Sequence, residues 1–376
     1  MDPFRSWPEG PEGEQAARQL GRVLGVTGGA AISFFGGEQA RRLAQQAVRS
    51  VVDAGGCALL HGLSSAAQNA WAARSTHIPA AVFFLQTPEG CFLSLTDGWG
   101  LPLLRCTAIP SPKGRIQMLR GSLDAYASDA ARQGRLGHSL HRAPRVAVEG
   151  QEPADQALVL ALRRMGCPVS PRWKRGLPCF QTRNSGLSLV ARDESGTQIS
   201  AAQLLAVSAL VELENGGGQL AVPQQTGAAA ELLSAGFSRP VLRLDRDGAP
   251  ATQLYRTLPW LYDGVFAAVR LCARMRVGGE RLEQLCRKTP QLTEAQQELV
   301  LHRPPQTLLA QLSAQEQGWT TLGRTLRRRT ALGWVSLIPL HHPALRILAE
   351  SEDMEAAAEL CQRTLSQVQR LDEQTK

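Results

Sequence analysis

One pattern occurs three times in the first two thirds of the chain: a short apolar strand, a turn, a helix closed by glycine, and a second strand. Glycine directly after a helix supplies the left-handed conformation that ends the helix and returns the chain to a sheet. Short strands that alternate with helices of this length predict parallel-sheet units with right-handed crossovers. Three such units predict three related α/β domains.

The three units differ in their positions but share the order strand, helix, strand. They are 31–35, 38–53 and 57–60 in the first, 145–148, 154–165 and 167–169 in the second, and 220–223, 228–234 and 240–244 in the third. The tail has another pattern, with strands at 298–301, 325–330, 333–338 and 345–349 and helices at 304–317 and 352–371. Antiparallel strands between two helices predict a small α+β domain. The predicted domains are 1–142, 143–199, 200–294 and 295–376.

Composition sets the broad class of the protein. A chain of 376 residues with 43% hydrophobic and 20% charged residues predicts two to four globular domains. No apolar run approaches the roughly 20 residues that span a bilayer, and the N-terminus lacks the pattern of a signal peptide, so we expect no membrane association and a cytoplasmic protein. Eight cysteines without a C-x-x-C pair indicate buried thiols in a reducing compartment and disfavour zinc.

A net charge of +8 raises the hypothesis of nucleic-acid binding, and Arg327, Arg328 and Arg329 form the densest basic run. The run lies in a predicted strand, where alternation divides the three side chains between two faces. Aromatic residues make up only 5% of the chain, so stacking platforms for bases are scarce. The run therefore predicts a solvated hairpin, and nucleic acid remains an unfavoured alternative partner.

Five segments resemble, in order, parts of the α-D-phosphohexomutases, the phosphoglucomutase and phosphomannomutase family. They are 38–62, 95–103 (LTDGWGLPL), 190–196 (VARDESG), 263–270 (DGVFAAVR) and 343–350 (PALRILAE). The resemblance implies three phosphohexomutase-like α/β/α domains and a small C-terminal α+β domain. The short distance from the second unit to the segment 190–196 implies that the second domain is shortened.

The resemblance also implies where phosphoryl transfer would occur. The family's nucleophile loop reads Thr-Ala-Ser-His-Asn-Pro, and Thr87 stands at the serine position, followed by proline and without histidine. The metal loop of the family reads Asp-Gly-Asp-x-Asp-Arg, because Mg²⁺ prefers carboxylate oxygens. Counting back from Gly196 places Arg183, Ser185 and Leu187 on the three aspartates, and Ser188 on the arginine. The resemblance thus implies that the Mg²⁺ site is lost and that no cofactor is bound.

The two loops that would hold the substrate also differ from the family. The sugar loop would lie in 249–260, which contains no acid and no histidine but does contain Tyr255, Arg256 and Trp260. The phosphate loop of the family, Arg-Pro-Ser-Gly-Thr-Glu-Pro, aligns with 337–343, where Leu337, Pro339 and His341 replace the arginine, serine and threonine. Adjacent side chains of an extended segment point in opposite directions, so His341 and His342 cannot chelate one metal together.

Three hypotheses follow from the altered loops. The first is a phosphohexomutase-like protein that has lost phosphotransferase activity and serves a binding or regulatory role, with a protein partner. The second is a diverged enzyme that binds a phosphorylated sugar or another anion in the old cleft. Its candidate substrate-binding residues are Arg183, Tyr255, Arg256, His341 and His342. The third is nucleic-acid binding through the positive charge.

Overall fold

Four β-sheets follow one another along the chain in the computed structural model, which describes residues 4–103, 114–134, 136, 141–216, 218–223, 226–340 and 343–373, without the side chains of 245–247. The first three contain parallel strands joined through helices, and the fourth is entirely antiparallel. The predicted fold class, three α/β parts followed by a C-terminal α+β part, is confirmed. None of the helices in these ranges is long and apolar enough to cross a membrane.

The first sheet has six strands and is mixed. Its elements are β1 (Arg5–Trp7), α1 (Gly10–Val26), β2 (Gly29–Phe35), α2 (Glu38–Asp53), β3 (Cys57–Leu63), α3 (Ala66–Ser75), β4 (Ala80–Thr87), β5 (Gly90–Thr96), β6 (Arg115–Met118) and α4 (Ser122–Gln133). The strand order is β1-β5-β4-β2-β3-β6, in which β4, β2, β3 and β6 run parallel and β5 and β1 close the sheet antiparallel. The carboxyl ends of the parallel strands therefore share one edge.

Helices α1 and α2 pack against each other through glycines. A Cβ atom on Gly21 would lie 2.6 Å from the carbonyl oxygen of Ala47, and one on Gly25 would lie 2.5 Å from that of Val51. Residues four apart lie on the same face of a helix, so the two glycines form one contact strip. The close approach lets both helices bury their small apolar residues in the core of the first sheet.

The second sheet has five strands. Its elements are β7 (Val146–Val148), α5 (Pro153–Arg164), β8 (Val169–Ser170), β9 (Cys179–Arg183), β10 (Ser188–Arg192) and β11 (Gln198–Ile199), in the order β11-β10-β9-β7-β8. Strand β7 runs parallel to β8 and β9, whereas β9, β10 and β11 are antiparallel. The buried carboxylate of Asp155 accepts the backbone N–H of Glu152 at the start of α5 and both the N–H and the hydroxyl of Thr182 on β9. It fixes α5 against the sheet.

Helices dominate the next part of the chain. Its elements are α6 (Ala201–Glu214), β12 (Leu220–Val222), α7 (Ala229–Gly236), β13 (Val241–Arg243), α8 (Leu244–Arg256), a 3-10 turn (Pro259–Leu261), α9 (Gly264–Gly278) and α10 (Leu282–Arg287). Strands β12 and β13 form a two-stranded parallel sheet. Helix α8 bends at Gly248, whose φ of 59° is not helical, and Pro250 follows.

The last sheet is antiparallel and shares one hydrophobic core with two helices. Its elements are β14 (Thr293–Val300), α11 (Pro305–Gln315), β15 (Trp319–Leu322), β16 (Thr325–Arg329), β17 (Trp334–Pro339), β18 (Ala344–Ser351) and α12 (Met354–Glu373), in the strand order β14-β18-β17-β16-β15. Leu308, Leu337 and Ile347 belong to its buried core.

Contacts divide the chain into two units. Unit 1 contains the residues up to Ile199 together with Pro259–Glu283, and unit 2 contains Ser200–Leu258 and Gln284–Lys376. Helix α9 therefore belongs with the first two sheets, although the sequence pattern places it in the predicted domain 200–294. The four domain boundaries, which rest on that pattern, stay predictions.

The prediction that the run Arg327 to Arg329 is a solvated hairpin is wrong for Arg327. Its side chain is only 4% exposed, whereas Arg329 is exposed as expected. Strand β16 is internal to its sheet, and the face that carries Arg327 is covered by α7 of the same unit, where Arg327 Nη1 lies 3.2 Å from Glu231 Oε2. The run therefore cannot present three cations on one surface.

Arg327 belongs to a buried network of charged groups in unit 2. Its Nε donates to Ser336 Oγ at 2.9 Å, and its Nη2 lies 4.0 Å from Glu350 Oε2. Glu350 is fully buried and accepts the backbone N–H of Ala228 at 2.8 Å, which caps the start of α7. Burial raises the pKa of Glu350, and Arg327 opposes that effect. The network joins β16 and β18 to α7.

We predict that Glu350→Gln lowers the free energy of unfolding of unit 2 by about 3 kcal/mol, because Arg327 loses a charged partner inside the protein. Glu298→Gln is the matched control: Glu298 pairs with Arg346 on the same sheet but is 56% exposed, so its loss costs at most about 1 kcal/mol. Urea titrations followed by circular dichroism measure both. Equal costs for the two variants would contradict a buried charge network.

Candidate functional site

Thr87, at the family's nucleophile position, lies at the tip of a tight hairpin. It is the last residue of β4 and pairs with Gly90, the first residue of β5. Its hydroxyl accepts the backbone N–H of Glu89 at 3.2 Å and contacts the carbonyl oxygen of Gly90 at 3.5 Å. A hydroxyl becomes a good nucleophile when a neighbouring base takes its proton. Among the described residues, the hydrogen-bond partners of Thr87 are turn backbone groups and include no base.

The side chain of the neighbouring residue Gln86, in β4, caps the start of helix α2. Its Oε1 accepts the backbone N–H of Gln39 at 3.0 Å and that of Ala40 at 3.4 Å. The first N–H groups of a helix lack partners inside the helix and are a common binding place for phosphate. Here a side-chain amide already uses two of these groups. The start of α2 is therefore capped from within the protein.

The loop at the family's metal position joins β9 to β10. We call residues 184–187 the β9–β10 loop. Asn184 and Ser185 both have a φ of 51°, and Gly186 has a φ of 90°. Left-handed conformations are unusual for residues other than glycine and persist where surrounding contacts hold them.

The contacts of this loop lie within unit 1. Ser185 is 5% exposed; its Oγ accepts the N–H of Ala66 at 3.2 Å and its carbonyl oxygen accepts the N–H of Ala67 at 3.2 Å. The carbonyl oxygen of Gly186 accepts the N–H of Gly264 at 2.8 Å, at the start of α9. The β9–β10 loop thus supplies hydrogen-bond acceptors to the first turns of two helices.

The residues that the resemblance assigns to the three aspartate positions do not fit a magnesium ion. Arg183 is an exposed cation, Ser185 Oγ is engaged by a backbone N–H, and Leu187 has no oxygen ligand in its side chain. Magnesium requires anionic or carbonyl oxygens in octahedral geometry. Across the part of the chain that the structure describes, no cluster of three or more His, Cys, Asp or Glu residues could hold a metal ion.

His61 is a partly buried polar residue that the sequence pattern does not single out. It is the extra residue of a β-bulge in β3, where the register with β2 shifts between Ile32 and Ser33. Its Nε2 lies 2.6 Å from Asn69 Oδ1, while Asn69 Nδ2 donates to the carbonyl oxygens of Ala31 and Val82. Burial lowers the pKa of His61 to about 4. His61 is therefore neutral at pH 7, donates through Nε2, and is a weak base.

A second buried polar contact joins α4 to the start of α9. The hydroxyl of Tyr126 lies 2.8 Å from each carboxylate oxygen of Asp263, which also accepts the backbone N–H groups of Val265 and Phe266. Burial raises the pKa of Asp263 to about 6, and the hydrogen bond from Tyr126 opposes that shift. The sequence signal for this contact is the Asp-Gly before an apolar helix, which is typical of an N-cap.

The predicted substrate-binding residues lie in both units. Arg183 is exposed at the end of β9 in unit 1. Tyr255 and Arg256 are neighbours at the end of α8 in unit 2, where Tyr255 is 5% exposed and Arg256 is exposed. Successive helical residues point in directions about 100° apart, so the two side chains do not share one face. Their role in binding stays a prediction.

The segment at the family's phosphate position begins inside the last sheet. Leu337 is fully buried in β17, and Ile338 is 3% exposed. Leu337 therefore packs in the core and offers no donor at the arginine position. His341 and His342 lie outside the described residues, so their predicted binding role also stays a prediction.

We predict that Tyr126→Phe destabilises unit 1 by about 1–3 kcal/mol at pH 8, because Asp263 loses a donor to its buried carboxylate. A raised carboxyl pKa favours folding most at low pH, and this contribution is lost as the pH rises through about 6. The variant raises that pKa further, so its deficit relative to wild type should grow between pH 4 and pH 8. Urea titrations at several pH values measure the deficit.

Thr27→Val is the control for Tyr126→Phe, because it removes a buried hydroxyl of the same unit that donates to the backbone carbonyl oxygen of Leu24 and to no carboxylate. Its deficit should be nearly constant from pH 4 to pH 8. A constant deficit for Tyr126→Phe as well would show that Asp263 does not depend on Tyr126.

Comparison with known proteins reveals similarity in structure, whereas the comparisons of sequence found no match. No protein-family model matches the chain, and no curated protein sequence matches it. A phosphoglucomutase/phosphomannomutase family protein from Burkholderia thailandensis is similar with a TM-score of 0.73 at 13% identity, over 97% of this chain and 96% of that one.

Two further solved structures extend this similarity. A protein assigned as a phosphomannomutase from Thermus thermophilus has a TM-score of 0.67 at 14% identity, over 95% of this chain and 94% of that one. An N-acetylglucosamine-phosphate mutase of the α-D-phosphohexomutase superfamily, solved in a substrate complex, has a TM-score of 0.53 at 7% identity, over 96% and 94%. The fold implied by the five sequence segments is confirmed: this chain has the fold of the α-D-phosphohexomutases.

Proposed function

We propose that this chain is a phosphohexomutase-fold protein without phosphomutase activity that serves a binding or regulatory role. The β9–β10 loop carries this proposal. At the place where the family holds a metal ion, this loop has no carboxylate, and Ser185 and Gly186 accept backbone N–H groups of α3 and α9 instead. These acceptors of the loop are thus used inside unit 1.

Loss of the metal removes the largest expected contribution to catalysis. Phosphoryl transfer depends on positioning and on compensation of negative charge at the transferring oxygens, which a divalent cation usually supplies. Arg183 adds one positive charge to the β9–β10 region but cannot coordinate a phosphoryl oxygen as a metal does. Our proposal therefore includes the absence of a Mg²⁺ cofactor.

The nucleophile position supports the same proposal. Thr87 is the last residue of an internal strand, and its hydroxyl stabilises the following turn by accepting the backbone N–H of Glu89. Gln86 caps the start of α2, so a phosphoryl group near Thr87 would compete with this amide for the N–H groups of Gln39 and Ala40. A phosphothreonine at Thr87 would have neither a neighbouring base among its hydrogen-bond partners nor an uncapped helix start to bind its phosphoryl group.

We predict no conversion of glucose 1-phosphate or mannose 1-phosphate above the uncatalysed background, with Mg²⁺ and a hexose bisphosphate activator present. The product hexose 6-phosphate can be measured in a coupled dehydrogenase assay, with an active phosphomannomutase as the positive control. Thr87→Ala should leave this background unchanged. Turnover by the wild-type chain that disappears in Thr87→Ala would overturn the proposal.

A phosphorylated sugar is the ligand that we propose for a retained binding role. The N-acetylglucosamine-phosphate mutase of the same fold was solved in a substrate complex, and Arg183 leaves an exposed guanidinium in place of a metal ligand. Guanidinium groups bind phosphate oxygens through paired hydrogen bonds. Such binding requires no metal and no nucleophile.

We predict that glucose 1-phosphate or mannose 1-phosphate raises the melting temperature in the absence of divalent cations, because a ligand that binds only the folded state stabilises it. Glucose and mannose should have no effect. Arg183→Gln should abolish the rise, whereas Arg42→Gln, which changes another exposed arginine of unit 1, should retain it. An equal rise in melting temperature in both variants would show that Arg183 does not bind the sugar phosphate. No rise with any sugar phosphate would contradict a sugar-phosphate ligand and favour binding of a protein partner.

A further inference from the structure

A histidine ring and a buried carboxylate form a close pair in unit 2. His302 lies two residues after the end of β14, and Asp372 lies in the last turn of α12. Oδ2 of Asp372 is 2.8 Å from Nδ1 of His302 and accepts the backbone N–H of the same residue at 2.9 Å. One carboxylate oxygen thus holds both the ring and the backbone of His302.

The two partners differ in their exposure. The side chain of Asp372 is 5% exposed, whereas that of His302 is 60% exposed. Of the two ring nitrogens, Nδ1 is directed at the carboxylate, and across the described residues no hydrogen bond reaches Nε2. A small reagent in solvent therefore has access to the His302 ring.

Arg303 holds the carboxylate in place. Its Nε lies 3.6 Å from Asp372 Oδ1, and its Nη2 donates to the carbonyl oxygen of Leu371 at 2.6 Å. Its Nη1 donates to Oε1 of Gln311 in α11 at 2.8 Å. The guanidinium thus ties the segment after β14 to both α11 and α12, and the hydrogen bond from Asp372 fixes the orientation of the histidine ring.

The proton of the neutral His302 ring lies on Nδ1. Burial raises the pKa of Asp372, but the hydrogen bonds from His302 and the charge of Arg303 outweigh burial and lower it. The carboxylate is therefore ionised at pH 7 and can only accept hydrogen bonds, so Nδ1 must donate. The lone pair of the neutral ring is then at Nε2. A carboxylate behind the ring also stabilises positive charge that develops on the imidazole.

The helix start that follows His302 adds positive potential. Helix α11 begins at Pro305, three residues after His302, and its N-cap residue, Pro304, makes no side-chain cap. The N–H groups in the first turn of a helix carry partial positive charge and bind phosphate oxygens. A phosphoryl group on His302 would thus be close along the chain to a helix start that no side chain caps.

We propose that Nε2 of His302 is a phosphoryl-acceptor site that reacts with a phosphoramidate, the class of donor that includes phosphohistidine. The Nε2 lone pair attacks the phosphorus atom, so an N–P bond to the ring forms and the N–P bond of the donor breaks. The donor nitrogen leaves with the electron pair of that bond. In phosphoramidate itself this nitrogen is already protonated, and it leaves as ammonia. The ring becomes an imidazolium whose Nδ1 proton stays hydrogen-bonded to Asp372.

Asp372 is a positioning residue in this reaction, because it contacts the ring and not the donor. It keeps the lone pair at Nε2 and offsets the positive charge of the imidazolium. The site lies in unit 2 and requires neither a metal nor a sugar phosphate. Its failure would leave the proposed loss of mutase activity and the proposed role of Arg183 unaffected.

The test is reaction of the full-length, folded chain with potassium phosphoramidate, followed by tryptic peptide mapping at alkaline pH, where phosphohistidine is stable. The peptide 289–324 contains His302 as its single histidine, because the Arg-Pro bond within it resists trypsin. His77 is the matched control, since its side chain is exposed and no carboxylate partner is found for it among the described residues. We expect His302 to be phosphorylated about 10-fold or more faster than His77.

The identity of the phosphorylated nitrogen separates this role from a purely structural one. Phosphorus NMR of the treated chain, with both isomers of phosphohistidine as standards, should show phosphorylation at Nε2. This signal should be absent in His302→Gln. Phosphorylation of His302 at Nδ1, or equal rates for His302 and His77, would overturn the proposal.

A variant of the carboxylate tests its positioning role. In Asp372→Asn the neutral amide can donate to Nδ1, which places the ring proton on Nε2, so the rate at His302 should fall to that of His77. Asp353→Asn changes another acid of unit 2, which accepts the N–H of Ala356 at the start of α12, and should keep the wild-type rate. An unchanged rate in folded Asp372→Asn would contradict the role of Asp372. If this variant does not fold, the rate ratio and the phosphorylated nitrogen of the wild-type chain still decide the proposal.

Discussion

The two hydrogen bonds that Ser185 accepts from the first turn of α3 fix the β9–β10 loop against that helix. Two N–H groups that a helix cannot satisfy internally find acceptors in the side chain and the carbonyl oxygen of one buried serine. Gln86 does the same for α2. In a phosphoryl-transfer site, helix starts and loops of this kind would be directed at the substrate. In this chain the N–H groups at the starts of α2 and α3 donate to Gln86 and Ser185 and so stabilise the protein itself. An N–H group that donates to such an internal acceptor does not donate to a ligand.

The contacts of the β9–β10 loop also explain how its unusual backbone is held in place. Asn184 and Ser185 both have positive φ values, which cost of order 1–3 kcal/mol each. Three backbone N–H groups from α3 and α9 offset this cost, because each would otherwise be buried without a partner. The shape of the loop is therefore maintained by protein contacts. Shape and chemistry can separate in this way, since a fold outlasts the function of a site.

Local sequence patterns predicted the helices and strands of the three repeated units. They could not predict the contacts between distant parts of the chain. Helix α2 runs from Glu38 to Asp53 as predicted, because its glycine boundaries and apolar spacing are local signals. Strand β15, with its two threonines, has no such signal and was missed. Arg327 was wrongly placed in solvent, because alternation along a strand separates two faces but does not show which one α7 covers.

At the candidate site, the order of the resembling segments indicated where each loop lies along the chain. It could not indicate which residues each loop contacts. The substitutions at Arg183, Ser185 and Leu187 are visible in the sequence, whereas the bond from Ala66 to Ser185 spans 119 positions. Tyr126 and Asp263 are 137 positions apart. Such contacts depend on how sheets and helices pack, and a single sequence contains no local pattern for them.

Unit 1 is discontinuous in sequence, since the chain leaves it after Ile199 and returns for Pro259–Glu283. During synthesis from the N-terminus, α9 emerges only after the intervening part of unit 2 has been made. Until then Tyr126 lacks Asp263, and the carbonyl oxygen of Gly186 lacks the N–H of Gly264. A nascent chain that ends near residue 200 is therefore an unfinished unit 1. The order of synthesis makes α9 the element that completes it.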